Sequence, residues 1–100
     1  MEEKLSEKPI PFSEVLKEIG VTSKSAAYVL IEANPSEIPN ILEKLSRIEN
    51  VRSADVVTGI YDIIVYIEAE DQHEIGRIVI RDIHSIHGVK KATTCMVVKI

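Results

Sequence analysis

The residues best suited to binding chemistry lie in one short segment, Thr58-Gly59-Ile60-Tyr61-Asp62, which stands between two apolar runs. Gly59 allows a tight turn or a close approach to the backbone, because glycine has no side chain. The Asp62 carboxylate can accept hydrogen bonds from a ligand or from nearby backbone N–H groups. The segment therefore leaves two interpretations open: a hairpin that only turns the chain, or a hairpin that also binds a ligand.

Three histidines, His73, His84 and His87, lie in or beside one predicted helix. An i,i+3 pair such as His84 and His87 can hold a metal ion, but a zinc site needs three or four ligands. Asp82 precedes His84 by only two residues, so it points elsewhere on a helix. We therefore predict no metal site, and place these histidines at a subunit interface or near a helix C-terminus, where an imidazolium is favoured.

Nothing in the sequence is typical of a catalytic site or of a cofactor site. The only cysteine, Cys95, lies in an apolar run, so it forms no intrachain disulfide, and we predict that it is a small core residue. No Ser-His-acid spacing is evident, and the four glycines form no phosphate-binding loop. A small enzyme that binds phosphate after its first strand would need backbone N–H donors there. In this chain Asn34-Pro35 follows the first predicted strand, and proline has no N–H to donate.

Composition excludes further classes of protein. The chain has 100 residues, enough for one domain, and a net charge of −4. Nucleic-acid binders usually show a basic stripe, and here Lys90-Lys91 is the only adjacent basic pair, so we expect no direct contact with nucleic acid. No apolar run approaches the ~20 residues of a membrane span. The acidic N-terminus is unlike a signal peptide, so we expect a cytoplasmic protein with no membrane contact.

The sequence contains an internal repeat, in which a β-α-β unit occurs twice. We predict a first helix capped by Ser36 and a second helix running from about Asp71 to Gly88. Each helix carries one apolar stripe at helical spacing: Ile38, Ile41, Leu42, Leu45 and Ile48 in the first, and Ile75, Ile78, Val79, Ile83 and Ile86 in the second. The predicted strands are Ala26–Ala33, Arg52–Thr58, Tyr61–Ala69 and Lys91–Ile100. This order predicts the α+β ferredoxin-like fold β-α-β-β-α-β, a four-stranded antiparallel sheet with both helices on one face.

The strands are apolar on both faces, whereas two helices can cover only one face. If one face of an antiparallel sheet were solvated, apolar and polar residues would alternate along each strand. Tyr28, Leu30, Ile64 and Tyr66 fall on the face away from the helices. We therefore predict that a second copy of the chain covers this face, and that these four residues form the homodimer interface.

Residues 1–25 form a predicted N-terminal extension, and residues 26–100 form the domain. The extension contains one short helix, Pro11–Gly20, whose apolar edge is Val15, Leu16 and Ile19. At ~1.5 Å per residue this helix is too short to cover a whole sheet face. We expect it to pack at the rim of the sheet or on a neighbouring chain.

Residues 26–100 resemble the effector-binding domain, or RAM domain, of the leucine-responsive regulator (Lrp/AsnC) family. The segments that carry the resemblance are Ala27-Tyr28-Val29-Leu30-Ile31, Ile48-Glu49-Asn50-Val51, Thr58-Gly59-Ile60-Tyr61-Asp62, and Ile86-His87-Gly88-Val89 followed by Thr93-Thr94. Two positions depart from the family pattern: His87 stands where proline is frequent, and Ile60 stands where a polar residue is common. Full-length members also carry a helix-turn-helix, which needs three helices. Residues 1–25 cannot supply it, so the chain resembles the stand-alone form.

The resemblance implies homodimers that assemble further, commonly into octamers, with a free amino acid bound where dimers meet. Asp62 would face the ammonium, the backbone around Gly59 would approach the carboxylate, and Ile60 and Tyr61 would shape the wall. Thr93 and Thr94 would add hydroxyls from the neighbouring strand.

The resemblance also implies a function: an amino-acid-sensing regulatory domain without its own DNA-binding part, which modulates transcription or metabolism through co-assembly, for instance with full-length Lrp/AsnC-type regulators. Two alternatives remain. An amino-acid-binding module of the ACT type shares the fold, but usually has a glycine at the first strand–helix turn, where this chain has Asn34-Pro35. A small enzyme on the same fold is the other.

Overall fold

The structure, a computed structural model, describes residues 24–100. Its helices and strands are, in chain order, β1 Ser25–Ala33, α1 Ile38–Ser46, β2 Val51–Val56, β3 Ile63–Ala69, α2 Gln72–Ile78 and β4 Val89–Met96. The four strands form one antiparallel sheet in the order β2-β3-β1-β4. This confirms the predicted ferredoxin-like fold. The predicted helix Pro11–Gly20 lies outside the described residues, so the division at residue 25 stays a prediction.

Strict alternation of side chains builds the core. In β1 and β3 every second residue is buried, and in both strands these residues face the helices. The helices close that face with the predicted stripes. The fully or almost fully buried residues are Ala27, Val29, Ile31, Ala33, Ile63, Val65, Ile67 and Ala69 from the strands, Ile41 and Leu45 from α1, and Ile75, Ile78, Val79, Ile83 and Ile86 from α2 and the turns after it.

The first helical segment begins with a 3-10 turn, earlier than the sequence suggests, and with a different cap. A 3-10 turn, Pro35–Glu37, precedes α1, and the Asn34 side chain accepts a hydrogen bond from the Ser36 N–H at 3.3 Å. The prediction that Ser36 is the cap is wrong, because Pro35 has no N–H and already occupies the first position of the turn. Asn34 therefore both ends β1 and starts the helical segment.

The second helix begins as predicted but does not continue as one α-helix to Gly88. The Asp71 side chain caps it, accepting from the Glu74 N–H at 2.8 Å. After Ile78 the helix widens into a π turn, Val79–Ile83, in which the His84 N–H donates to the Val79 carbonyl at 2.9 Å. The wider turn keeps both Val79 and Ile83 against the sheet. No helix within residues 24–100 is long and apolar enough to cross a membrane.

Gly88 connects the end of this segment to the start of the first helix. Its φ angle is +101°, and a Cβ atom at this position would lie 2.3 Å from the Cβ of Glu37. Its carbonyl accepts from the Asn34 N–H at 2.9 Å. The absence of a side chain at residue 88 therefore allows the β1–α1 turn and the α2–β4 turn to pack against each other.

Candidate functional site at the second hairpin and the open sheet face

The hairpin between β2 and β3 is a six-residue loop, residues 57–62, closed by a hydrogen bond from the Val57 N–H to the Asp62 carbonyl at 2.9 Å. Gly59 lies in this loop with φ +126°, a conformation that favours glycine. The strands are shorter here than the predicted Arg52–Thr58 and Tyr61–Ala69. Asp62 lies before β3, because its N–H donates to the Ile31 carbonyl of β1 at 2.8 Å and its side chain turns the same way.

Asp62 fastens the loop to the end of β1. Its Oδ2 atom accepts a hydrogen bond from the Ala33 N–H at 2.8 Å. If β3 extended further towards the hairpin, a backbone carbonyl of β3 would accept from the Ala33 N–H. The Asp62 carboxylate takes the place of that carbonyl. Within residues 24–100 no donor reaches the other oxygen, Oδ1. The arrangement fixes the position of the carboxylate and leaves one oxygen available.

The loop tip presents an apolar side chain outwards. Ile60 is 82% exposed, while Tyr61 is half-buried. Nothing lies within 4 Å of the place where a Cβ of Gly59 would stand, so the backbone of the tip is also accessible. A ligand held by this loop would need a second wall from outside the loop, which agrees with a site between subunits rather than inside one chain.

The structure does not bring the two predicted threonines to the hairpin within one chain. β4 pairs with β1, so β1 separates it from β3, and the predicted neighbour relation is wrong. Thr93 lies opposite Leu30, and Thr94 lies opposite Val29, so their side chains point to opposite faces of the sheet. Two strand spacings of ~4.8 Å place Thr93 about 10 Å or more from the Asp62 row. A second chain would have to bring a threonine to Asp62.

The four predicted interface residues do come together. Tyr28 lies opposite Tyr66, and Leu30 lies opposite Ile64, in adjacent rows on the sheet face away from the helices. We call this side the open face. The rings of Tyr28 and Tyr66 are 5.0 Å apart and tilted by 51°, and Tyr28 is 46% exposed. The centre of the open face is thus an aromatic and aliphatic block that the chain itself leaves uncovered.

Cys95 belongs to the open face and not to the core, so that prediction is wrong. It lies opposite Tyr28 and is exposed. The residues on either side of it, Thr94 and Met96, face the helices instead. The cysteine thus borders the aromatic block.

A polar cluster that the sequence does not announce lies at one end of the open face. The strand register shifts between Val51 and Ser53, so Arg52 is an extra residue, a β-bulge. Its Nε atom lies 3.2 Å from Oε1 of Glu68. The Tyr66 hydroxyl donates to Oε2 of the same carboxylate at 3.4 Å. Burial, followed by the charge of Glu68, raises the pKa of Tyr66.

The histidines are dispersed. His73 and His84 are exposed, and His87 Nε2 lies 3.6 Å from Glu37 Oε2. Within residues 24–100 no three His, Cys, Asp or Glu side chains are close enough to hold a metal ion. A groove of about 920 Å³ runs beside His87 on the helix side, with charges of both signs, including Glu37, Lys44 and Asp82. None of its lining residues belongs to the hairpin loop or to the apolar block of the open face.

The family model of the Lrp/AsnC ligand binding domain matches residues 26–100 of the sequence. The chain belongs to this family. The match confirms the resemblance that the sequence segments carry. It also covers the same residues that the sequence assigns to the domain.

Curated relatives of this Lrp/AsnC chain fall into two kinds. An uncharacterized HTH-type transcriptional regulator of Pyrococcus horikoshii is 24% identical over 74 residues, which are 74% of this chain and 47% of the regulator. The chain thus spans about half the length of such regulators. The homocitrate synthase of Sulfolobus acidocaldarius is 30% identical over 92 residues, which are 92% of this chain but only 18% of the enzyme.

Solved structures agree with the fold. A protein of Thermus thermophilus superposes with a TM-score of 0.72 at 25% identity, covering 76% of this chain and 95% of that protein. A transcriptional regulator of Neisseria meningitidis, solved as a complex with L-Met, gives a TM-score of 0.71 at 17% identity, over 96% of this chain and 65% of the regulator. The second likeness concerns the fold alone.

Proposed function

We propose that this chain is a cytoplasmic, homo-oligomeric regulatory domain that binds a free amino acid and acts by co-assembly with other proteins. The observation that carries the proposal is the match of residues 26–100 to a ligand binding domain family. The Neisseria meningitidis regulator with this fold binds L-Met, which supports an amino acid as the class of ligand. The net charge of −4 opposes direct DNA binding, so a salt-sensitive gel shift by the purified chain alone would contradict this part.

The oligomer begins with a dimer through the open face. Tyr28, Leu30, Ile64 and Tyr66 form a continuous apolar block there, and uncovered blocks of this kind mark association sites. A second copy supplies the same apolar block in return, as a two-fold interface requires. Further assembly of dimers, such as an octamer, would give the exposed Ile60 loop a second wall.

Light scattering and sedimentation test the dimer. Leu30→Asp puts a charge at the centre of the open face, so it should yield monomer or aggregate. Ile80→Asp is the matched control, since Ile80 is 71% exposed on the helix side and should leave the assembly unchanged. A wild-type chain that stays monomeric at micromolar concentration would overturn the proposal.

The amino acid is proposed to lie against the hairpin at a contact between dimers. The Asp62 carboxylate, held by the Ala33 N–H, faces the ammonium, and the backbone of residues 59–61 lies near the carboxylate. Ile60 and Tyr61 favour an apolar or amide side chain over a strongly cationic one. The charge-assisted bond to Asp62 contributes about 1.5–3 kcal/mol, so its loss should weaken binding about 10- to 150-fold.

Two substitutions separate binding from structure at Asp62. Asp62→Asn keeps an oxygen that can accept from the Ala33 N–H but removes the charge, whereas Asp62→Ala removes both. A thermal-shift screen of the twenty amino acids identifies the ligand, and calorimetry on wild type and both variants then measures the affinity. We expect both variants to bind weakly, with Asp62→Ala the less stable of the two. If Asp62→Asn binds as well as wild type, the hairpin only turns the chain.

A second candidate output, regulation of an enzyme, has its own support. The matches to HTH-type regulators cover 73 or 74 residues, whereas the match to the homocitrate synthase covers 92. A match of 92 residues is longer than residues 24–100, so it must include part of the segment before Lys24. Part of the extension is therefore shared with the enzyme.

Side-by-side binding assays distinguish the two outputs. The purified chain is mixed with a homocitrate synthase-type enzyme and with an HTH-type regulator from the same genome, and association is measured with and without the amino acid. Leu16→Asp alters the predicted apolar edge of the extension, and Lys17→Asp, off that edge, is its control. Enzyme association lost only in Leu16→Asp supports the second candidate. Association with the regulator alone contradicts it.

A further inference from the structure

The edge strand β2 carries opposite charges on the open face. Ser53 lies opposite Tyr66 and Asp55 lies opposite Ile64, which places both on the open face. The bulge turns Arg52 to the same side, where it meets Glu68. A cation thus stands at one end of the strand, and an anion stands towards the hairpin end.

Both charges can still accept a partner. The Arg52 side chain is 50% exposed, and its contact with Glu68 uses only Nε of the guanidinium. Glu68, by contrast, is 12% exposed and holds Arg52 in place. Asp55 is exposed and makes no ion pair within residues 24–100. Arginine has five donors in a planar fork, so its terminal nitrogens remain able to bind a second carboxylate.

The direction of the two-fold axis decides what these charges meet. Two sheets that pack face to face lie about 10 Å apart, a distance that an arginine and an aspartate together can span. One possible two-fold axis lies in the plane between the two sheets and runs perpendicular to the strands. It places β2 over β2 of the second copy, with the two strands running in opposite directions. Each Arg52 then faces Asp55 of the other chain, and the symmetry makes two such pairs.

The other axis direction is less favourable. An axis along the strands would lay β2 over β4 of the second copy, with Arg52 opposite Val97, an apolar residue that is 37% exposed. Covering a charged guanidinium with an apolar side chain costs free energy of desolvation. Only Asp55 would gain a partner there, Lys91. Charge complementarity therefore favours the perpendicular axis.

We propose that Arg52 and Asp55 pair reciprocally across the dimer, and that this pairing sets the orientation in which two copies stack their open faces. The proposal rests on the open-face dimer of the proposed function. It assigns to the bulge at Arg52 a role in choosing the partner, since in a regular strand Arg52 and Asp55, three residues apart, would point to opposite faces.

Charge reversal with mixing tests the pairing on the full-length chain. Arg52→Glu alone places Glu against Asp55, and Asp55→Lys alone places Lys against Arg52, so each homodimer should weaken by about 10-fold or more. In a mixture the two variants restore both pairs, and the heterodimer should return to within about threefold of the wild-type dissociation constant. The Arg52–Glu68 contact is lost in both chains of the Arg52→Glu homodimer, in one chain of the heterodimer and in neither chain of the Asp55→Lys homodimer. A heterodimer tighter than both homodimers therefore cannot owe its recovery to this contact.

A control pair and an alternative pair complete the design. Glu74→Lys and Arg77→Glu make the same charge changes on α2, off the open face, and should leave dimerisation unchanged alone and mixed. Recovery in the mixture of Asp55→Lys with Lys91→Glu, and not with Arg52→Glu, would show that the axis runs along the strands and would overturn the pairing. If wild type is a dimer but the mixture of Arg52→Glu with Asp55→Lys does not regain its affinity, the pairing is overturned and the dimer is not. A monomeric wild type overturns the dimer itself.

Discussion

Asp62 Oδ2 and the N–H of Ala33 are joined by a hydrogen bond of 2.8 Å, which ties the second hairpin to the end of β1. Removing the acceptor leaves a partly buried backbone donor unpaired, which costs about 1–3 kcal/mol. Asp62→Ala should therefore lower the free energy of unfolding by that amount, whereas Asp62→Asn should lower it by less than about 1 kcal/mol. Urea unfolding of both variants measures the difference. Equal losses would show that charge, and not the hydrogen bond, stabilises the loop.

Gly88 and Gly76 should respond in opposite directions to alanine. Gly88 has φ +101°, and a Cβ there would meet Glu37 at 2.3 Å, so strain and overpacking together should cost at least about 2 kcal/mol. Gly76 lies inside α2 with nothing within 4 Å of the added Cβ, so alanine should stabilise the fold by about 0.5–1 kcal/mol. Thermal unfolding decides. A neutral Gly88→Ala variant would contradict the close packing of the two turns.

Asn34, and not Ser36, should stabilise the start of the first helical segment. The Asn34 side chain accepts from the Ser36 N–H at 3.3 Å and from the Ser36 hydroxyl at 3.1 Å. Replacing a capping side chain by alanine costs about 0.5–2 kcal/mol, so Asn34→Ala should fall in that range. Ser36→Ala keeps the backbone N–H that is capped and should cost less than about 0.5 kcal/mol. The reverse order in chemical unfolding would restore Ser36 as the cap.

The features that the sequence predicts well are those set by local periodicity. Burial of every second residue in β1, and the stripe from Ile41 to Leu45 in α1, follow from spacing alone, because neighbours along the chain determine which side a residue faces. The block of Tyr28 and Tyr66 on the open face follows from the same alternation. These signals also fix the order of elements and hence the fold.

The features that the sequence misses depend on contacts between distant segments. The bond from Asp62 to Ala33 depends on how far β3 runs beside β1, which no local pattern records. The bulge at Arg52 shifts the register by one residue without any glycine or proline to announce it. The prediction for Cys95 is wrong because the run from Cys95 to Val98 is apolar at every position. A continuous apolar run does not show which of its residues face the core and which face the other side of the sheet.

Tyr66 should make the fold sensitive to alkaline pH. Burial and the charge of Glu68 raise its pKa above the ordinary 10.0. The unfolded chain therefore loses the phenolic proton near pH 10, while the folded chain keeps it to higher pH. In that interval the folded state binds more protons, so stability falls as pH rises. The contribution is fully present below about pH 10 and is lost above it.

Replacing Tyr66 by phenylalanine tests this dependence. Tyr66→Phe removes the titrating group and the hydrogen bond to Glu68, so its free energy of unfolding should fall less steeply than wild type between about pH 9 and 11. Tyr28→Phe is the control, because Tyr28 packs on Tyr66 but makes no hydrogen bond to Glu68 within residues 24–100. It should keep nearly all of the wild-type slope, because the charge of Tyr28 is the smallest of the causes that raise the pKa of Tyr66. Equal slopes for Tyr66→Phe and wild type would mean that burial and the Glu68 carboxylate do not raise the pKa of Tyr66 in the folded chain.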